Sequence, residues 1–148
     1  MAPVIAVDTN ILIYAHRDET PFHRAAVREM KALNESGAPW GVPVFCLAEF
    51  MRVVTDERRI HRPSTVAQAL SFLDKLHASG TLKILTPGAR YWILFSEQVR
   101  VGDVRGKLAF DAQIAAVCLE QGVDRLLTLD RDFLRFPSLK TLALSSDN

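Results

Sequence analysis

Short apolar runs and stretches of helical periodicity alternate along most of this chain. Val4, Ile5, Ala6 and Val7 follow one another without polar alternation, which suits a strand covered on both faces, as in a parallel sheet flanked by helices. Thr20 can cap a helix with Pro21 in its first position, and Phe22, Ala26, Met30 and Leu33 then repeat at helical spacing until Gly37 ends it. A helix is expected over 45–55, where Leu47, Phe50, Met51 and Val54 share a face. After the basic turn at 58–62, Ser64 can cap a third helix whose Val66, Leu70, Leu73 and Leu76 point one way, with Gly80 closing it. Residues 82–85 read as a strand. Tyr91, Leu94, Phe95 and Val99 mark another helix, 102–106 a loop, and Asp111 opens a helix carrying Ile114, Ala115 and Cys118 until Gly122 stops it. Residues 125–129 supply a strand and 141–144 a last one.

Strands alternating with helices imply an α/β three-layer sandwich with a mostly parallel central sheet. A length of 148 residues, 49% of them hydrophobic, suits one domain spanning 1–148. The net charge of +1 excludes a surface that traps polyanions globally, so any nucleic-acid contact needs a local basic patch. Cys46 and Cys118 lie in apolar runs without zinc spacing and read as reduced core residues, as in a cytoplasmic protein. No apolar run approaches the ~20 residues of a membrane span. His16, His23, His61 and His77 have no metal-ligand spacing, and Trp40, Trp92 and the phenylalanines mostly fall on apolar faces and read as core.

In open parallel sheets the ligand crevice lies beyond the carboxyl ends of the strands. Asp8 directly follows the first apolar run and Asp130 follows Leu126 to Leu129, so both should project from that edge; Asp111, at a helix amino terminus, faces it too. Glu49 interrupts an apolar stretch one turn into its helix, where it leans toward the crevice or faces water beside Arg52. Each acid alone has a plainer reading: Asp8 and Asp111 as helix N-caps worth roughly 1 kcal/mol, Asp130 as a turn residue, Asp132 as the cap of a short helix over 133–136. Convergence changes the balance. Two like charges about 4 Å apart at an effective dielectric near 20 repel by roughly 4 kcal/mol, which a domain stable by ~5 to 15 kcal/mol relieves by binding a cation or retaining protons. Carboxylates without cysteine or histidine are the ligand set of magnesium.

The segments Val7-Asp8-Thr9-Asn10, Leu47-Ala48-Glu49-Phe50, Phe110-Asp111-Ala112-Gln113-Ile114-Ala115-Ala116 and Thr128-Leu129-Asp130-Arg131-Asp132-Phe133 resemble, in order and spacing, the four acidic motifs of PIN-domain ribonucleases. The match spans nearly the whole chain and is most similar to the VapC-type toxins of bacterial toxin–antitoxin pairs. Phe110 departs from the pattern, since relatives often carry a polar residue before the third aspartate. The resemblance implies that Asp8, Glu49, Asp111 and Asp130 hold Mg2+, with Mn2+ as a substitute, and activate water for attack on an RNA phosphodiester, leaving a 5′-phosphate. Thr9, Asn10 and Thr128 are placed to orient water or the carboxylates, or else make turn and cap hydrogen bonds; Asp132 is an unassigned fifth acid. Arg17, Arg52, Arg105, Lys107 and Arg131 are candidate phosphate contacts, and the denser group Arg58, Arg59, His61 and Arg62 is another. The resemblance also implies a homodimer held by a small antitoxin whose tail blocks the crevice.

Three other readings compete. A housekeeping RNA-processing nuclease would use the same acids. An aspartate-dependent phosphatase would exploit Asp130-Arg131-Asp132, but that chemistry usually places its Asp-x-Asp after the first strand, where this chain has Asp8-Thr9-Asn10. A non-catalytic binding module would have less reason to retain all four acids.

Overall fold

The computed structural model describes residues 3–144. Strands β1 (Ile5–Val7), β2 (Trp40–Pro43), β3 (Leu82–Leu85), β4 (Arg125–Leu127) and β5 (Lys140–Leu142) form one parallel sheet in the order β3-β2-β1-β4-β5. Helices α1 (Thr9–His16), α2 (His23–Glu35), α3 (Phe45–Val54), α4 (Val66–His77), α5 (Tyr91–Val101) and α6 (Leu108–Glu120) flank it. This is the expected α/β sandwich. The chain leaves β1 toward β2 on one side and returns to β4 on the other, so the strand order reverses beside β1, where open sheets of this kind place a ligand crevice.

Burial explains the central elements. Ala6, Val7, Leu126 and Leu127 on the two middle strands are sealed from solvent, as are Cys46, Phe50 and Val54, which repeat every fourth residue along α3. Helix α6 is the most enclosed, with Ala112 and the whole run from Ile114 to Cys118 buried. Both cysteines are free and buried. No described helix is long and apolar enough to cross a membrane.

Several boundaries differ from those read in the sequence. Helix α1 was not anticipated: Ile11 and Ile13 are β-branched and disfavour helix, yet the Asp8 cap and complete burial of Ile11 and Leu12 impose it. Strand β2 was hidden by Gly41 and Pro43, both poor strand residues. Gly41 is required there, because a Cβ would lie 2.9 Å from the Leu85 side chain on the neighbouring strand. Helix α2 starts at His23, since the Thr20 hydroxyl donates to the Arg17 and Tyr14 carbonyls rather than capping a helix led by Pro21. Thr65, not Ser64, caps α4, through a reciprocal pair with Gln68. Strand β4 ends at Leu127 and β5 covers 140–142. Trp40 is a core residue, but Trp92 is 70% and Phe110 60% exposed, against the expectation of buried rings.

Candidate active site

Asp8 stands where β1 turns into α1. Its Oδ1 accepts the Thr9 amide at 2.7 Å, so it does cap the helix, while Oδ2 accepts the Thr128 hydroxyl, also at 2.7 Å. The Cys46 thiol, fully buried on α3, lies 3.9 Å from Oδ1. Thr128 follows β4 directly, and its Oγ1 also accepts the Asp130 amide at 3.0 Å and the Asn10 amide group at 3.4 Å. One hydroxyl therefore uses its single proton on Asp8 and both lone pairs on neighbours, tying the ends of the two central strands together.

Asp130, not Asp132, caps the 3-10 helix Arg131–Arg135: its Oδ1 accepts the Asp132 amide at 2.9 Å. That leaves the Asp132 carboxylate free to turn back. Asp111 is the fourth residue of α6 rather than its opening one, because the turn through Gly106 already begins helical bonding at Leu108. Carboxylate oxygens of Asp111, Asp130 and Asp132 lie within 4.8 Å of one another. No donor among the described residues reaches the Asp111 side chain. Glu49 sits outside this tight trio, half-buried on α3 and without an ion pair to Arg52.

The electrostatics join all five acids. Burial pushes Asp8 up to about 6, against the lowering effect of the Thr128 and Thr9 hydrogen bonds, and the charges of Glu49 and Asp130 raise it further. Asp111 is pushed up to about 7, by burial first and then by Asp130, Asp8, Asp132 and Glu49. Beneath them, burial and the nearby Asp8 charge drive the Cys46 thiol well above the ordinary range, keeping it protonated. Thr9 Oγ1 and Asn10 Oδ1 are buried beside Asp8 without a partner. An all-oxygen group of this spacing fits a hard divalent cation such as Mg2+ or Mn2+, whose charge would relieve the repulsion. Asp132 was undervalued in the sequence because its role depends on the tight turn that Asp130 caps, which spacing alone does not reveal.

The cations divide into two kinds. Arg17, grouped by sequence with the phosphate contacts, is engaged with protein: it reaches Glu19 at 2.7 Å, Ser64 Oγ at 3.0 Å and the carbonyls of His61 and Arg62 at 3.0 and 2.7 Å. His16 shares the same Ser64 hydroxyl at 2.8 Å. Arg58 and Arg59 of the basic turn pair with Asp56. Arg52, Lys107 and Arg131 are exposed, and Arg105 makes only a solvent-facing pair with Asp103 at 3.3 Å.

The PIN-domain sequence model matches residues 5–139, from the first residue of β1 through the approach to β5. The chain belongs to the PIN-domain family. Among its VapC relatives, VapC ribonuclease Mb2897 of Mycobacterium bovis is 34% identical over 93% of this chain and 92% of its own length. Ribonuclease VapC25 of Mycobacterium tuberculosis is 32% identical over 90% and 94%. Solved structures share the fold: VapBC2 from Rickettsia felis bound to a promoter DNA fragment aligns with a TM-score of 0.68 at 21% identity, covering 96% of this chain and 99% of that one. The sarcin-ricin loop cleaving toxin VapC20 of Mycobacterium tuberculosis aligns with a TM-score of 0.65 at 19% identity, covering 88% and 92%.

Proposed function

We propose that this chain is a single nuclease domain, a magnesium-dependent endoribonuclease that serves as the toxin of a type II toxin–antitoxin pair. The observation that carries the reading is the acidic crevice at the point where the strand order reverses: three carboxylates within 4.8 Å, with the charges of Asp8 and Glu49 acting on the same Asp111. Asp111, Asp130 and Asp132 would hold the ion, with Asp8 and Glu49 contributing directly or through water, and Mn2+ could replace Mg2+. When bound, a divalent ion supplies Lewis-acid activation of water and offsets negative charge on the phosphodiester. The protein's own part is positional. Thr128 fixes the Asp8 carboxylate and the Asp130 backbone in one hydrogen-bonded unit, Thr9 and Asn10 wall the same corner, and the buried Asp8 excludes bulk water from that side. Arg52, Arg105, Lys107 and Arg131 would contact phosphates of the RNA, in a cytoplasmic setting.

The relatives' name as ribonucleases supports RNA as substrate, and the fold likeness to VapBC structures supports an antitoxin partner; a homodimer is the accompanying expectation. An aspartate-dependent phosphatase is disfavoured, since Asp130-Arg131-Asp132 follows the fourth strand rather than the first. Cleavage of mixed RNA with magnesium, abolished by EDTA, with no turnover of an aryl phosphate, is the expected result. Turnover of the aryl phosphate alone refutes the nuclease, and absence of both activities favours a binding module. A housekeeping nuclease would cut RNA equally well, but expressing it without a partner would leave growth unaffected, whereas a toxin should arrest it.

A further inference from the structure

We propose that Phe110 is a base-stacking platform that holds the base of one unpaired nucleotide of the RNA beside the scissile phosphate. The proposal rests on the ribonuclease reading above and adds the residue that selects the form of RNA.

Phe110 is the exception on the most enclosed helix of the fold. Its neighbours Ala112 and Ile114 to Cys118 are buried, while its own ring is 60% exposed and belongs neither to the core nor to any ring pair among the described residues. Phe110 lies in the first turn of α6, one residue before Asp111, and Cα–Cβ bonds tilt toward that amino-terminal end, the end at which Asp111 meets Asp130 and Asp132. Lys107, three residues earlier and exposed, lies on the same helix face one turn nearer that end. Aromatic face and cation side by side match what an unpaired nucleotide offers, a flat base and an anionic phosphate.

The ring is also separate from the other aromatic exposure. Trp92 and Ile93 are 70% and 61% exposed at the start of α5. That end is tied to the far end of α6, because the Glu120 carboxylate accepts the amides of Gly88 at 2.6 Å and Arg90 at 2.9 Å. Phe110 and Glu120 are separated by roughly 15 Å of helix. The residues leading to Phe110, from Arg105 to Lys107, are exposed, and both of their side-chain functional groups are cations, a border suited to nucleic acid rather than to a dry protein contact. A base pair would keep its faces stacked within a duplex and unavailable to the ring.

The test compares wild type with Phe110→Ala, Phe110→Leu and Phe110→Trp, in magnesium, on a single-stranded RNA and on the same sequence as a duplex. Wild type should cut the single strand and leave the duplex intact. Phe110→Ala should lower kcat/KM by roughly 5- to 100-fold, mainly through KM, the range that stacking of one base implies. Phe110→Leu should not recover the loss, and Phe110→Trp should. Removing one base flanking the mapped cut should reduce wild-type cleavage by a similar factor and leave Phe110→Ala unaffected. The magnesium-induced rise in melting temperature should be the same in all four proteins, since the ring contributes no ligand atom. If wild type cuts and Phe110→Ala matches it, or if leucine restores full cleavage, stacking is overturned while the nuclease stands. If Phe110→Ala disrupts self-association or partner capture but leaves cleavage unchanged, the ring is a protein contact and the proposal fails. Absence of cleavage by wild type removes the ribonuclease reading and the stacking with it.

Discussion

Arg17 and Asp111 are both charged and both partly withdrawn from water, yet their surroundings have opposite character. Arg17, 13% exposed, finds an acceptor in four separate residues and joins the end of α1 to the turn before α4. It borders an open groove of about 1440 Å³ also lined by His16, Arg62, Phe72 and Lys75, yet its own charge is answered from within. Asp111 has no donor among the described residues, and burial, then four other acids, raise its pKa. A satisfied charge stabilises the molecule as it stands. An unsatisfied one belongs to a cluster whose repulsion a retained proton or a bound cation would relieve, the mark of a candidate functional site.

The largest effect expected from breaking this contrast is on cleavage. Asp111→Asn should reduce it by more than about 100-fold, beyond the 10- to 100-fold typical of residues that merely support a ligand, while the melting temperature in EDTA stays level or rises as repulsion is removed. Asp8→Asn should lose cleavage similarly but gain less stability, because an amide has one acceptor oxygen and cannot accept from both the Thr9 amide and the Thr128 hydroxyl as the carboxylate does. Calorimetric scans in EDTA and in magnesium, beside a gel assay, check both. A variant that melts far below wild type in EDTA and still cuts would reassign these acids to structure.

Arg17→Ala tests the opposite pole. It should destabilise the fold by on the order of 3 kcal/mol, since the carbonyls of His61 and Arg62 lose a charged donor, and leave the magnesium-induced shift unchanged. A normal melting temperature with weakened RNA binding would instead make Arg17 a phosphate contact.

Protons and metal compete for the same carboxylates, which gives a pH signature. Asp8 and Asp111 bind protons more tightly in the folded chain than their ordinary value of 3.8, at about 6 and about 7. The metal-free fold is therefore free of their ionisation cost below about pH 4, loses stability as pH rises toward 7 and levels off above. The magnesium shift should grow over that same interval, because the ion must displace the protons. Melting curves from pH 4 to 8 with and without magnesium check it, and parallel curves would refute the coupling. The smallest effect concerns the exposed cations: replacing Arg105 and Lys107 by alanine should lower the slope of log RNA affinity against log salt by about one for each phosphate that is no longer neutralised, with metal binding intact.

Legibility in the sequence followed the same division. Asp8 and Asp130 could be placed because each sits at a strand end that hydrophobic pattern defines locally, Asp111 was placed in the right turn though not at the helix start, and α3, carrying Glu49, was placed almost to the residue. What escaped depended on contacts distant in sequence. Helix α1 forms against its own β-branched composition because it is buried, and β2 needs Gly41 to admit Leu85 from a strand some forty residues later. The engagement of Arg17 arises from Ser64 and the carbonyls of a turn far along the chain. Asp132 joined the crevice through a hydrogen bond from its own amide to Asp130, which local charge patterning does not encode.

The hydrogen bond between Thr128 and Asp8 spans 120 positions of the chain, as does the alignment of β1 with β4. During synthesis the first strand and its aspartate emerge well before the partners that complete the crevice, Thr128 following Asp8 by 120 positions. A nascent polypeptide halted before Asp111 carries Asp8 and Glu49 but cannot assemble the acidic trio. Parallel pairing across such a separation also forms slowly, because the long intervening loop must close first. Here the topology itself delays assembly of the acidic cluster until Asp111 and Asp130 have both been made.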